Sequence, residues 1–342
     1  MVRKILLFRY LLIVIVFFLS LYGIFAQEKL VFPAFNGEVK KEAEKPALKA
    51  QVLPVDTISL PLLDDFARNE VWPNQSYWND RYVYINNDYP KNPLSVGAAT
   101  FDMYSSTGKI YERASVSGFM ADQLTSNPVD LEYSSGDSIY LSFYLQAGGH
   151  GDMPESETDS FVVEFYAPAD TVWNSVLNVK SNEVKGFQQF LIPVKQSKYL
   201  KKGFRFRFKN YASLADDIPN LQIDADHWNL DYVYLDHKRS IDDTLINDVC
   251  FVKPLTSILR NYTSIPWNHF DDEVRDEEIE TKISIVYQNL GNQIWNIPRY
   301  LAVRPLNGTG QGGYKYGGAK NIGAFEIEDD YDFSLPYAYD VE

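Results

Sequence analysis

Cysteine and histidine are scarce in this sequence, which contains one cysteine and four histidines in 342 residues. A single cysteine cannot form an internal disulfide, so a folded domain of this chain must be stabilised by its buried core. Cys250 lies between two apolar residues with no histidine placed as a partner. We interpret it as a small buried apolar residue rather than a nucleophile. Zinc binding through His227 is disfavoured, since no histidine has a short or helical ligand spacing.

Positive charge is also scarce, because 32 lysines and arginines stand against 46 aspartates and glutamates, for a formal net charge of -14. Nucleic-acid binding requires clustered basic residues that displace counterions from phosphates, so the composition argues against a nucleic-acid partner. Acidity of this degree is typical of a soluble extracellular protein or of one that collects cations. Solubility is the simpler interpretation.

The sequence lacks long amphipathic helices after its first 26 residues. Short runs that alternate apolar and polar residues recur instead, separated by turn-forming residues. The clearest run is GFRFRFKNY, in which Phe204, Phe206 and Phe208 alternate with basic residues. A strand places these three rings on one face, whereas a helix would scatter them. The sequence therefore predicts an all-β protein.

The N-terminus has the order of a secretory signal peptide. A basic start, MVRK, precedes the apolar run LLIVIVFFLSLYGIFA, and the small residue Ala26 comes before the polar QEK. We predict cleavage after Ala26, which makes residues 1–26 a signal peptide and exports the protein to the extracellular space or the outer cell surface. After cleavage we expect no membrane span. An uncleaved anchor is the alternative, although Arg9 interrupts the apolar stretch.

The rest of the chain divides into four segments. Residues 27–54 are rich in Lys, Glu, Ala and Pro and predict a flexible linker. Residues 55–245 hold many short strands and predict two antiparallel sheets packed face to face. Residues 246–275 predict a connecting segment, because two prolines limit regular pairing. Residues 276–342 resemble the opening hairpin of an immunoglobulin-like domain, with too few strands for a complete one.

Several stretches together resemble a known family. They are, in order, LPLLDDFA, YWNDRYVYIN, VGAATFD, GDSIYLSFYLQAGGHGDMPE, DSFVVEFYAP, FRFRFKNYASL and DHWNLDYVYLD. Their order is similar to that in large secreted bacterial surface proteins exported by the type IX secretion system. This resemblance implies that residues 55–245 form a jelly-roll sandwich related to concanavalin-like and MAM-type modules, with immunoglobulin-like domains following. The sorting domain that ends such proteins is not recognisable here.

The stretch DADHWNLDYVYLDHK, residues 224–238, combines acids, histidines and aromatics. As an unbroken strand it would place Asp231, Val233 and Leu235 on one face. Asp231 is then either a strand-end residue that accepts backbone N–H groups or a calcium ligand. The resemblance implies the second role, since related sandwiches often hold an ion between their first and last strands. The partner ligand would be Asp65, or its neighbour Asp64.

The stretch AGGHGDMPESETDS lies between two predicted strands. Its default interpretation is a mobile loop at the edge of the sandwich. The functional alternative is a ligand-binding loop, in which His150 and Asp152 contribute polar contacts.

We expect an adhesion protein that binds an extracellular glycan or protein, with aromatics such as Trp72, Tyr77 and Trp78 available for stacking on sugar rings. A hydrolase acting on polysaccharide or peptide is the first alternative, because acids are abundant. Glu164, alone among apolar neighbours, is either an acid of raised pKa or an outward-facing glutamate. A structural spacer is the second alternative. Calcium is the one cofactor we expect.

Overall fold

The structure is a computed structural model of the chain. It describes residues 36–44, 57–68, 70–214, 226–303 and 313–334. The predicted signal peptide and most of the predicted linker lie outside the described residues.

Strands dominate the described part of the chain, which confirms the prediction of an all-β protein. The strands are β1 (Leu62–Asp64), β2 (Tyr84–Asn86), β3 (Ala98–Phe101), β4 (Phe119–Thr125), β5 (Val129–Asp130), β6 (Tyr140–Ala147), β7 (Ser160–Ala167), β8 (Val172–Val179), β9 (Gln188–Pro193), β10 (Lys202–Ala212), β11 (Trp228–Asp236), β12 (Val249–Phe251), β13 (Lys282–Asn289), β14 (Trp295–Val303), β15 (Gly313–Ile322) and β16 (Ile327–Ser334). Two short α-helices, α1 (Gly37–Ala43) and α2 (Asp272–Glu278), accompany them. Neither helix of this described part is long and apolar enough to cross a membrane.

Two antiparallel sheets form the larger module. The front sheet has the order β2-β3-β11-β6-β9, and β1 pairs with the second half of β11. The back sheet has the order β4-β10-β7-β8, and β5 pairs with β10. The chain changes sheets at β3 to β4, at β5 to β6, at β6 to β7, and at each step from β8 to β11. This connectivity is that of a jelly-roll sandwich, as predicted.

The core between the two sheets is rich in aromatic side chains. Phe204, Phe206 and Phe208 on β10 are fully buried, as their alternation predicts. The Phe208 ring meets that of Phe143 on β6 with centroids 5.0 Å apart, so the two sheets contact each other directly through their rings. Burial of each large apolar side chain contributes about 1.5 to 3 kcal/mol, which lets the domain fold without disulfides.

The second module is smaller. One sheet has the order β12-β13-β16, and β14 pairs with β15 in a separate hairpin. Ile283, Ile285 and Tyr287 alternate along β13 and pack with Leu301 and Ile322 in its core. An immunoglobulin domain needs about seven strands, against five in the described residues here. The immunoglobulin-like assignment therefore stays a prediction.

The connection between the modules is shorter than predicted. Strand β12, within the predicted connecting segment 246–275, already pairs with β13 of the second module. Its backbone also reaches back to the sandwich, because Val96 N–H donates to the carbonyl of Phe251 at 2.6 Å. Cys250 is half-buried here, and its thiol donates to the carbonyl of Leu94 at 3.1 Å.

Part of the segment predicted as a flexible linker, residues 27–54, is helical. The Asn36 side chain accepts hydrogen bonds from the N–H groups of Glu38 and Val39 and so caps helix α1. Val39 is buried, and Asn36 N–H donates to the carbonyl of Gly108 at 2.9 Å. The linker interpretation missed this helix because one buried apolar residue leaves no clear periodic signal in a short polar run.

Candidate functional site

Strand β11 is interrupted by a bulge that reverses the facing of its second half. Its pairing with β6 shifts register between Asp231 and Tyr234, and Tyr232 has a φ of +50°. The core-facing side chains are Trp228, Leu230, Val233 and Leu235. The predicted facing, with Val233 and Leu235 on the same side as Asp231, is therefore wrong, because it assumed an unbroken two-residue period.

The bulge helps to shape a pocket of about 450 Å³ on the outer side of the front sheet. The pocket lies between the sheet and the segment that follows β11. The lining side chains that matter here are Tyr144, Gln189, Tyr232, Tyr234, Arg239 and Asp243. This volume lies within the range of small-molecule binding sites in proteins.

Charged groups hold two tyrosines of this pocket, Tyr232 and Tyr234, in place. The Arg239 guanidinium lies over the Tyr234 ring, 4.2 Å from its centroid, and pairs with Asp243. The Tyr234 hydroxyl donates to Asp236 at 2.8 Å. Burial, followed by the Asp236 carboxylate, raises the pKa of Tyr234 to about 12, so the phenol is neutral at physiological pH. The Tyr232 hydroxyl donates to Asp248. Burial, followed by this hydrogen bond, also raises the pKa of Tyr232.

Carboxylates are present in the pocket, but both have partners. Asp243 pairs with Arg239, and Asp248 accepts the hydroxyl of Tyr232. Glycoside hydrolysis needs two carboxyl groups on either side of the scissile bond, one of them held protonated. An acid already engaged by a cation or a phenol is poorly suited to that task. Asp243 and Asp248 are therefore both engaged within the protein.

Glu164 is an outward-facing glutamate on the back sheet. It pairs with Arg207 at 2.5 Å and with Lys209 at 2.7 Å. Burial raises its pKa, but hydrogen bonds from Lys209 and Arg207, together with their charges, outweigh this and lower the pKa below its usual value. The alternative of a raised-pKa general acid at Glu164 is wrong.

Ser95 connects the two predicted calcium ligands, Asp65 and Asp231. Its hydroxyl donates to the main-chain oxygen of Asp65 at 3.1 Å and lies 3.4 Å from both carboxylate oxygens of Asp231. Asp231 is fully buried and accepts the N–H of Tyr232 at 2.7 Å. Burial raises its pKa well above the usual range, and the charge of Asp65 adds to the rise. Asp64 instead accepts the Trp78 indole N–H at 2.7 Å.

The predicted ligand loop, residues 148–159, is fastened to the start of β11. His227 N–H donates to the carbonyl of Asp152, and Asp152 N–H donates back to Nδ1 of His227, both at 3.1 Å. The His150 side chain is exposed, while its N–H donates to the carbonyl of Tyr89 at 2.8 Å. The structure thus gives Asp152 a structural contact and leaves His150 at the surface.

A cluster of three acids lies where this loop meets β11. One carboxylate oxygen from each of Glu155, Asp159 and Asp226 lies within 4.8 Å of the others. Asp159 and Asp226 are fully buried, whereas Glu155 is exposed. Partial burial of its carboxyl group, together with the neighbouring Asp159 carboxyl, raises the pKa of Glu155 to about 7.

Sequence reasoning missed both the pocket and the acid cluster. Trp78, predicted as an aromatic for sugar stacking, is 1% exposed and belongs to the core. Tyr77 is partly buried against the same core. A usable signal for Tyr144 lay in the run DSIYLSFYLQA, where it occupies the polar, outward phase of the alternation. Asp226 carries no such signal, because its neighbours in the cluster are about 70 residues away in sequence.

Comparison with known proteins adds little to this geometry. No protein-family profile and no curated protein sequence matches the chain. Part of it is similar to an arabinose-bound α-L-arabinofuranosidase, MgGH51 (14% identity, TM-score 0.31, 53% of this chain and 27% of that one). A mutant xylanase 10C from Cellvibrio japonicus in complex with xylopentaose is similar at 9% identity and a TM-score of 0.25, over 53% of this chain and 29% of that one. The chain spans less than a third of either enzyme, and likeness at these scores carries no functional argument.

Proposed function

We propose that this protein acts outside the cell as a glycan-binding surface protein, and that it binds a neutral glycan in the pocket on its front sheet. The observation that carries the proposal is the convergence of three tyrosines, Tyr144, Tyr232 and Tyr234, on one pocket. Tyrosine rings offer apolar faces against which the C–H faces of a sugar can stack.

Polar side chains around the rings supply the second half of a sugar site. Gln189 and Asn247 line the same pocket, and their amides both donate and accept hydrogen bonds. Arg239 is oriented by Asp243 and by the carbonyl of Tyr234, to which its Nη1 donates at 2.9 Å. A few fixed polar groups among apolar walls is the usual composition of a small-ligand site.

The charge of the protein favours a neutral ligand over an acidic one. The net charge of -14 repels polyanions such as uronic-acid polymers. In the pocket itself, Asp243 balances Arg239, and Asp248 adds another acid. Export through the predicted signal peptide, residues 1–26, would bring the pocket to extracellular polysaccharide.

Affinity gel electrophoresis against a panel of neutral polysaccharides tests this proposal. We expect at least one polymer to retard the wild-type chain. Tyr144→Ala should weaken the retardation and raise the dissociation constant for that polymer at least tenfold. Tyr144→Phe keeps the ring and should retain most of the binding, because within the described residues the Tyr144 hydroxyl makes only a long contact of 3.5 Å, with the carbonyl of Thr244.

Tyr166→Ala is the matched control. Tyr166 is also half-buried, but it lies on the back sheet, where it packs against Trp173 with ring centroids 5.2 Å apart. Its loss should leave retardation unchanged. If both variants lose retardation equally, the front-sheet pocket is not the binding site. If no polymer retards the wild-type chain, the proposal is contradicted as well. Release of reducing sugar from a retarding polymer would reassign the protein to the hydrolases.

A further inference from the structure

The acid cluster of Glu155, Asp159 and Asp226 joins two parts of the fold that are distant in sequence. Glu155 and Asp159 belong to the loop 148–159, between β6 and β7, while Asp226 precedes β11 by two residues. Backbone N–H groups already orient two of the acids. Glu155 N–H donates to Asp159 Oδ2 at 2.8 Å, and Ser213 N–H donates to Asp226 Oδ2 at 3.1 Å.

The cluster has the dimensions of a calcium site. Calcium binds oxygen ligands at about 2.3 to 2.6 Å, so two ligands on opposite sides of one ion lie up to about 5 Å apart. Ligand oxygens of the three acids lie within 4.8 Å of one another, so one ion can contact all of them. Hard carboxylate oxygens without nitrogen or sulfur are the donors that calcium prefers over zinc.

The buried carboxylate of Asp159 is a second, independent observation that points to a cation. Its residue exposure is 0%, and its Oδ1 atom is buried without a hydrogen-bond partner among the described residues. A buried carboxylate oxygen without a partner is costly, since it loses hydration and gains nothing in return. The nearby ammonium of Lys180 donates to the main-chain oxygen of Asp159 at 2.9 Å, and it forms no ion pair with a described carboxylate.

We propose that Glu155, Asp159 and Asp226 bind one calcium ion, which fastens the loop 148–159 to the start of β11. The ion neutralises two buried carboxylates and gives Asp159 Oδ1 its partner. This site is separate from the Asp65 and Asp231 pair, which lies beside the bulge further along β11. It is also independent of the glycan pocket, so either proposal can fail without the other.

Thermal unfolding of the full chain with calcium and with a chelator tests the site. Extracellular calcium modules bind with dissociation constants of about 0.1 to 1 mM. At about 10 mM calcium we therefore expect the Tm to rise by about 3 to 10 °C relative to the chelated protein. Calorimetric titration should give one ion per chain, and an equal concentration of magnesium should produce a smaller shift.

The decisive variant is Asp159→Asn, which removes the charge and keeps the shape. In chelator it should be at least as stable as the wild type, since one buried charge is gone. In calcium the Tm of the variant should lie below that of the wild type, because the ion has lost a ligand. Replacing a residue with only a packing role would change the Tm in the same direction in chelator and in calcium. A change of opposite sign in the two conditions therefore identifies a ligand.

Two control variants locate the ion. Glu157→Gln changes an exposed acid in the same loop and should keep the full calcium shift. Asp231→Asn changes the other buried candidate for a calcium ligand and should also keep the full calcium shift. If Asp231→Asn abolishes the shift and Asp159→Asn does not, the ion lies at the predicted Asp65 and Asp231 pair and this proposal is wrong. The absence of any calcium shift in the wild type overturns it outright.

Discussion

Asp152 and His227 are joined by two hydrogen bonds at the end of the sandwich, one between their backbones and one to the His227 ring. His227 N–H donates to the carbonyl of Asp152, and Nδ1 of the His227 ring accepts the N–H of Asp152, each at 3.1 Å. The ring is 1% exposed and packs on Tyr89, with centroids 4.2 Å apart. His227, the first of two histidines in the acidic stretch 224–238, is thus a structural acceptor that anchors the loop 148–159.

Two substitutions of His227 should distinguish the contribution of its Nδ1 acceptor from that of its ring packing. His227→Leu leaves the N–H of Asp152 without its side-chain acceptor, and we expect the free energy of unfolding to fall by about 2 to 3 kcal/mol. His227→Asn places an amide oxygen near the position of Nδ1 and loses only ring packing. Amide hydrogen exchange at Asp152 should accelerate strongly in the leucine variant and much less in the asparagine variant. Equal exchange in the two would show that the acceptor does not matter.

Gly151 should not tolerate a side chain. A Cβ atom at this position would lie 2.5 Å from Cγ of His227, which is buried and cannot move aside. We expect Gly151→Ala to lower the free energy of unfolding by about 1 to 3 kcal/mol. In the background of His227→Ser, where the ring is absent, the same change should cost much less. Additive effects in this double-mutant cycle would contradict the contact.

Asp80 should make stability fall as the pH rises. Its Oδ1 accepts the N–H of Thr125 at 3.0 Å. Burial raises its pKa from 3.8 to about 6, against opposing hydrogen bonds from Thr125 and Gln123. Between these two values the folded state binds more protons than the unfolded state, so this group's stabilisation is complete below about pH 4 and is lost by about pH 6. A shift of two pKa units corresponds to about 3 kcal/mol.

Urea denaturation at several pH values measures this contribution. Asp80→Asn cannot titrate, and its side-chain oxygen can still accept from Thr125. The difference in unfolding free energy between variant and wild type should therefore change in favour of the variant as the pH rises through the window of about 4 to 6. A difference that stays constant with pH would mean that Asp80 has an ordinary pKa in the folded protein.

Alternation was a reliable guide where strands run without interruption. It identified the core face of β10, with Phe204, Phe206 and Phe208 all buried. It failed at β11, because a bulge inserts one extra residue and so breaks the period-two pattern. The loop 148–159 was recognisable from its glycines and acids, yet its meeting with Asp226 depends on sheet order. A pocket assembled from β6, β9 and β11 likewise cannot be seen before the topology is known.

Cys250 should react with thiol reagents only when the junction between the modules opens. Burial, followed by the charges of Asp248 and Asp231, raises the pKa of its thiol. At about pH 8 the reactive thiolate is therefore rare in the folded protein, and the thiol is also engaged by the Leu94 carbonyl at 3.1 Å. We expect labelling by an aromatic disulfide reagent to be slow in buffer and rapid in denaturant.

A pair of variants separates the hydrogen bond from simple burial. Cys250→Ser retains a donor for the Leu94 carbonyl, whereas Cys250→Ala leaves that carbonyl without it, so the alanine variant should be the less stable of the two by about 1 kcal/mol. The comparison also tests the junction itself, because Val96 and Phe251 are hydrogen-bonded beside it. If native Cys250 labels as fast as the denatured chain, β12 does not dock on the sandwich in solution, and the two modules are joined by a flexible connection after all.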